Sequence, residues 1–152
     1  MAGICVFDFP SLTLKQFYQL TDNILEMDDF LVEHNSSWTE SQLESLKKEN
    51  DGYVHYIEGQ YSEDPHWNED VEQTLFLSGR IMYYLICGDI AYIIECSSGD
   101  LIRVAPKCVH WVNTAGRLTM IKFITSNFER TDDATGISPE IARLSKEFYA
   151  KF

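Results

Sequence analysis

A mainly β chain folded into a small barrel or sandwich is predicted by three features of the sequence. Between residues 53 and 125, short runs rich in β-branched and aromatic residues are separated by turn signals at intervals of roughly ten residues. Two of these runs, residues 79–87 and 90–95, flank Gly88-Asp89, which is the spacing of a tight hairpin. No internal repeat, low-complexity tract or linker divides the 152 residues. The predicted organisation is therefore one domain: a helical N-terminal segment over 1–52, a β-barrel over 53–125 and a helical C-terminal segment over 126–152.

In chain order, residues 4–9 alternate weakly and predict an edge strand stopped by Pro10, which cannot donate to a ladder. From Ser11 the spacing of Leu14, Phe17, Tyr18, Ile24 and Leu25 approaches 3.6 residues and predicts a helix, interrupted around Thr21-Asp22. A second helix is predicted from residue 39 to residue 48. Thr39 and Gln42 form a capping box, Leu43 and Leu46 an apolar stripe, and Lys47 and Lys48 suit the C-terminal end of the helix dipole. Asn50-Asp51-Gly52 then breaks the chain. Strands follow at 53–57, turned by Glu58-Gly59-Gln60, then at 74–77, 79–87, 90–95, 100–104 and 118–124. Ser138-Pro139-Glu140 supplies an N-cap, a first-turn proline and an acidic first turn for a closing helix to Tyr149.

Composition narrows the function classes. A chain of this size with 45% hydrophobic residues buries roughly 68–70% of its unfolded surface without needing a staple. The formal net charge of −12 argues against nucleic acid or an anionic membrane as partner and suits an acidic enzyme or binding domain. Cys5, Cys87, Cys96 and Cys108 are scattered without a Cys-x-x-Cys pair, as expected of thiols in a reducing, cytoplasmic setting. The N-terminus lacks a basic region and carries Asp8 inside its apolar run, so no secretory signal is expected there. No run reaches the roughly eighteen apolar residues of a membrane span.

The chemistry concentrates between Asp64 and His110. His66, Asn68 and Glu72 share a parity, so a strand through them would place all three on one face. His110 follows a strand and a Pro106 turn, from which it could deliver a second imidazole to the same point. Two imidazoles and a carboxylate on one side of an ion form the facial triad of non-haem iron, which leaves positions open for substrate and oxygen. Asp70 shares the parity of Glu72, but the spacing to Gly79 favours Glu72. Asn68 could ligate a hard cation through its amide oxygen, hydrogen-bond a metal-bound water, or do neither. Arg80 and Lys107 fall near the predicted barrel mouth and could hold an anionic substrate, although charges at strand ends are commonly just solvated. Cys108 is read as a buried structural thiol, and His34 and His55 as surface or packing residues.

His66-x-Asn68-x3-Glu72-x6-Gly79, followed by Gly99-Asp-Leu-Ile-x5-Cys-Val-His110-Trp111, resembles the two-part cupin signature, most closely its acireductone dioxygenase branch. The resemblance runs from about His66 to Phe123, and its second half is the more specific. It implies a cupin barrel, a double-stranded β-helix or jelly roll with flanking N- and C-terminal helices. It implies His66, Glu72 and His110 as metal ligands, with Asn68 where the family has a further histidine. It also implies Fe(II), or Ni(II) or another first-row metal, together with dioxygen and a small oxygen-donor substrate. In that family the substrate is an acireductone, bound as an enediolate and cleaved by oxygen, with iron and nickel giving different products. The family's substrate-binding arginine falls on Thr74. With Glu72, Asn68 and Thr74 as the catalytic positions, the two departures point to a changed substrate, for example an intermediate of a specialised biosynthetic pathway. They are also what the alternative, a non-oxidative cupin (an isomerase, cyclase or decarboxylase) or an inactive ligand-binding cupin, would show.

Overall fold

The computed structural model describes residues 3–9, 11, 13–19, 24–49, 54–114, 116–123, 130–132 and 143. Its elements run β1 (Gly3–Asp8), β2 (Leu14–Gln19), β3 (Ile24–Glu26), β4 (Phe30–His34), α1 (Glu40–Glu49), β5 (Val54–Gly59), β6 (His66–Asn68), β7 (Glu72–Ser78), β8 (Ile81–Cys87), β9 (Ile90–Cys96), β10 (Asp100–Val104), β11 (Val109–Thr114), β12 (Leu118–Phe123) and β13 (Arg130–Asp132). They form two antiparallel sheets, a seven-stranded one ordered β13-β6-β11-β8-β9-β1-β2 and a six-stranded one ordered β3-β4-β10-β7-β12-β5. This is the jelly-roll architecture of a cupin.

The sheets face each other across one apolar core. Ile4, Tyr83, Leu85 and Ile94 of the first sheet meet Val32, Phe76, Ile102 and Met120 of the second, and all are at most 1% exposed. Burying each such side chain contributes roughly 1.5–3 kcal/mol, so the closed sandwich rests on apolar burial. Strand alternation sends the intervening residues outward. Leu75, Leu101 and Phe123 on the outer face of the six-stranded sheet are covered by Leu46, Leu43 and Trp38, from α1 and the segment before it. The helix begins with the predicted box: Thr39 N donates to Gln42 Oε1 at 2.9 Å, and Gln42 N to Thr39 Oγ1 at 3.2 Å.

Gly79 marks the β7–β8 turn with φ +86°, and a Cβ there would lie 2.5 Å from the Arg117 carbonyl oxygen. No other residue fits that close backbone approach without displacing the chain.

Two expectations about the N-terminal segment are overturned. The run containing Leu14, Phe17, Ile24 and Leu25 is strand, because β2 completes a hairpin with β1 and β3 one with β4. A period near 3.6 over so few apolar residues does not separate helix from strand, and the neighbouring strands decide. Nor is β1 an edge: it pairs with β9 along its whole length and with β2 on its other side. The chain break at 50–52 and, apart from residue 143, the closing helix at 138–149 lie outside the described residues.

Candidate metal centre

Three strands bring the candidate residues to one point inside the barrel. His66 on β6 and His110 on β11 are direct partners across their ladder. Glu72 opens β7 on the opposite sheet, where it pairs with Val104. Their ligand atoms all lie within 4.8 Å of one another, and each residue is 1% exposed. Donors around one first-row ion at roughly 2.1 Å sit at most about 4.2 Å apart. Neighbouring donors of a facial set sit closer, at about 3 Å, so side-chain adjustments on the order of an ångström would close this set on an ion.

The imidazoles are held for that purpose by the backbone. Nδ1 of His66 is 2.8 Å from the Asp64 carbonyl oxygen and Nδ1 of His110 is 2.9 Å from that of Cys108. A carbonyl only accepts, so each Nδ1 carries a proton and Nε2 is the ring atom turned inward; on His110 that Nε2 also donates to Glu72 Oε2 at 2.6 Å, a proton that a metal would have to displace. The ring of Tyr83 stacks on His110 at 5.8 Å and 9°, fixing its plane. Lys107, at φ +64°, makes the turn after Pro106 and donates its N–H to the Asn68 carbonyl at 2.8 Å, which ties the β10–β11 turn to β6.

Asn68 is 2% exposed and belongs to the cluster. Its Nδ2 donates to Glu72 Oε2 at 2.8 Å, while its Oδ1 is buried without a hydrogen-bond partner. Such an oxygen is costly to bury unmatched, by about 1–3 kcal/mol, and it is the donor that a cation would satisfy. Two inward Nε2 atoms, a carboxylate and an amide oxygen fit a divalent first-row ion.

Around these donors lies a set of charges that the sequence reading passed over. Lys122 Nζ stands 2.9 Å from Glu72 Oε1 and donates to Glu63 Oε2 at 2.9 Å. The Tyr61 hydroxyl donates to the same Glu63 oxygen at 2.8 Å, and His66 Nε2 is 3.8 Å from it. Burial would raise the Glu72 carboxyl, but Lys122 and His110 outweigh it and hold Glu72 well below the usual carboxylate range. Burial likewise opposes the Lys122 ammonium, yet Glu72 and Glu63 keep its pKa above that of an ordinary lysine. His110, which burial would lower, is raised by Glu72, 2.6 Å away. Tyr61 is pushed up to about 12, chiefly by burial and then by Glu63, against the opposing Lys122.

The remaining candidates are placed elsewhere. Arg80 is exposed and pairs with Glu95, and Lys107 turns its side chain to solvent, so neither reaches the cluster. Thr74 does point into the barrel, two residues beyond Glu72, and its buried Oγ1 has no hydrogen-bond partner. Cys108 packs in the core with its Sγ 3.6 Å from that of Cys87. His34 pairs with Asp100 at 2.7 Å and His55 is exposed.

No family profile matches the chain. Over 73 residues it is 34% identical to an acireductone dioxygenase of Methylococcus capsulatus, covering 47% of this chain and 39% of that protein. Over 75 residues it is 33% identical to acireductone dioxygenase 1 of Nocardia farcinica, covering 48% and 38%. A 46-residue match to an acireductone dioxygenase of Aquifex aeolicus reaches 41% identity over 30% of this chain and 25% of the relative. These matches thus span less than two fifths of the relatives' length. Among solved structures, the acireductone dioxygenase of Bacillus anthracis with a cadmium ion in its active centre superposes with a TM-score of 0.57 at 16% identity. That superposition takes in 84% of this chain and 95% of the other, and it carries the fold.

Proposed function

With the chain taken as an acireductone dioxygenase-like cupin, we propose that it is a metal-dependent dioxygenase acting on a small oxygen-donor substrate. The observation that carries this is the buried His66, Glu72 and His110 set with both Nε2 atoms turned inward and the Asn68 oxygen unmatched beside them. Bound there, Fe(II), or Ni(II) in its place, supplies Lewis acidity and a template on which substrate and dioxygen meet. The protein's own residues do the rest. His66 and His110 present fixed ring nitrogens, Glu72 brings the anionic donor, and Asn68 either adds its oxygen or orients a water. The barrel excludes bulk water, which strengthens every electrostatic contact inside. Thr74 stands where the related enzymes' arginine would hold an acireductone enediolate, so the substrate is one in which that contact has been rebuilt. Four free cysteines fit a cytoplasmic protein.

The test is metal content by mass spectrometry, with oxygen uptake on acireductone. One equivalent of metal is expected in the wild-type protein and a sharp loss in His66→Ala and in His110→Ala. The fold should survive in both, because it rests on apolar burial. Full occupancy in both variants would put the site elsewhere. Stoichiometric metal without oxygen uptake on any enediol would replace the dioxygenase with a non-oxidative enzyme.

A further inference from the structure

The barrel interior contains a cation outside the metal-donor set. Lys122 on β12 is the direct partner of Thr74 on β7. Opposed residues of antiparallel strands project to the same face with Cβ atoms roughly 4.5–5.5 Å apart. The parity of β12 agrees, since Leu118, Met120 and Lys122 are all buried on its inner side. Only 9% of the Lys122 side chain is exposed.

We propose that Lys122 and the Thr74 hydroxyl together seat the anionic end of the substrate, a small planar molecule offering two adjacent oxygens, such as an enediolate or a 1,2-dicarboxylate. The inference rests on the proposed function for the position of the metal. Its support is the charge balance of the interior. Glu63 and Glu72 are two anions and Lys122 one cation, so with neutral imidazole ligands the cluster carries one negative charge. A divalent ion turns this into one positive charge, and in a buried site that excess calls for an anion. Without Lys122 the same cluster plus ion would be neutral and would attract none. The unmatched Thr74 Oγ1, on the strand position opposite Lys122, adds a neutral donor for one substrate oxygen. The cation missing at position 74 is thus supplied from the neighbouring strand.

Oxalate is a suitable probe, being planar with two adjacent charged oxygens. Wild-type, Lys122→Met, Lys122→Arg and Thr74→Val proteins are loaded with Co(II). Metal stoichiometry and the visible spectrum are recorded, and oxalate is titrated by calorimetry. The expected result is one Co(II) throughout, oxalate affinity about 10- to 100-fold lower in Lys122→Met, partial recovery in Lys122→Arg and a smaller loss in Thr74→Val. If Lys122→Met unfolds the protein, Lys122→Gln, which keeps a hydrogen-bond donor for the two carboxylates while removing the charge, allows the same comparison. Unchanged oxalate affinity in the folded variant overturns the proposal, leaving Lys122 as a neutraliser of two carboxylates. Failure of the wild type to take up Co(II) refutes the metal reading instead. In that case the interior gains no positive excess, oxalate should not bind, and the proposal falls with the metal reading, whereas Co(II) uptake with unchanged oxalate affinity in the Lys122 variant overturns the proposal alone.

Discussion

Thr74→Val separates stability from function at one atom. The Thr74 side chain is 1% exposed, and its Oγ1 has no hydrogen-bond partner. Valine keeps the β-branched shape that a strand favours and replaces only the hydroxyl with a methyl group, so no cavity forms between Ile102 and Lys122, its two ladder partners. A buried donor left unsatisfied costs about 1–3 kcal/mol, and removing it should stabilise the metal-free protein by that order. For a chain of this length each kcal/mol moves the midpoint by roughly 2–4 °C. The assay is thermal and urea unfolding of metal-free wild-type and variant proteins at one pH, followed by oxalate titration of the loaded forms. Higher stability with weaker anion binding is expected, the usual exchange at a site kept strained for function. A variant destabilised by 1 kcal/mol or more would show that the hydroxyl is satisfied in the folded protein and would remove the reason for placing it against substrate.

Asn68→His should tighten metal binding, since imidazole is the better ligand for a borderline first-row ion, and an unchanged metal affinity would refute the placing of Asn68 beside the ion. Robust turnover by the unmodified protein, with formate released, would show that the departures at 68 and 74 have been over-read. The pH behaviour has opposing signs. Glu72, depressed when folded, stabilises the protein above its unfolded value of about 4.5, and that stability is lost as pH falls below it toward the folded value. His110, raised when folded, stabilises the metal-free protein below about pH 6.5 and ceases to do so as pH rises through its folded value. Metal must displace the His110 proton, so affinity for a buffered ion should climb by up to about tenfold per pH unit over that same window, where a flat profile would contradict the assignment. Gly79→Ala should lower stability by more than about 1 kcal/mol, because its new Cβ meets backbone at 2.5 Å; an unchanged urea midpoint would show that the turn can relax.

What the sequence disclosed depended on how local the signal was. His66 and Asn68 could be set on one face because a period of two needs only a few residues, and the capping box at Thr39 is likewise complete within four; Glu72, expected on the same strand, instead opens β7 on the opposite sheet and reaches the cluster from across the barrel. The helix expected after Ser11 failed for the opposite reason. Residues 14–19 and 24–26 acquire their conformation from β1 and β4, contacts that no local spacing records. Lys122 was hidden in another way. In Leu118-Thr-Met-Ile-Lys-Phe123 the more apolar alternate set, Ile121 and Phe123, faces α1, and the lysine takes the inner side. Its partner Glu63 lies 59 residues earlier. The parity it shares with Leu118 and Met120 was the one available clue.

The candidate donors do not belong to one sheet. His66, Asn68 and His110 stand on the seven-stranded sheet and Glu72 on the six-stranded one, so an ion held between them would be bonded to both halves of the sandwich. Any fluctuation that parts the sheets must then break a coordination bond, and at a free metal concentration one hundred times its dissociation constant the closed form gains about 2.7 kcal/mol. Occupancy and global stability become one equilibrium. The rate at which a bound ion exchanges with a labelled one in solution would, on this geometry, be a clock for the opening of the barrel.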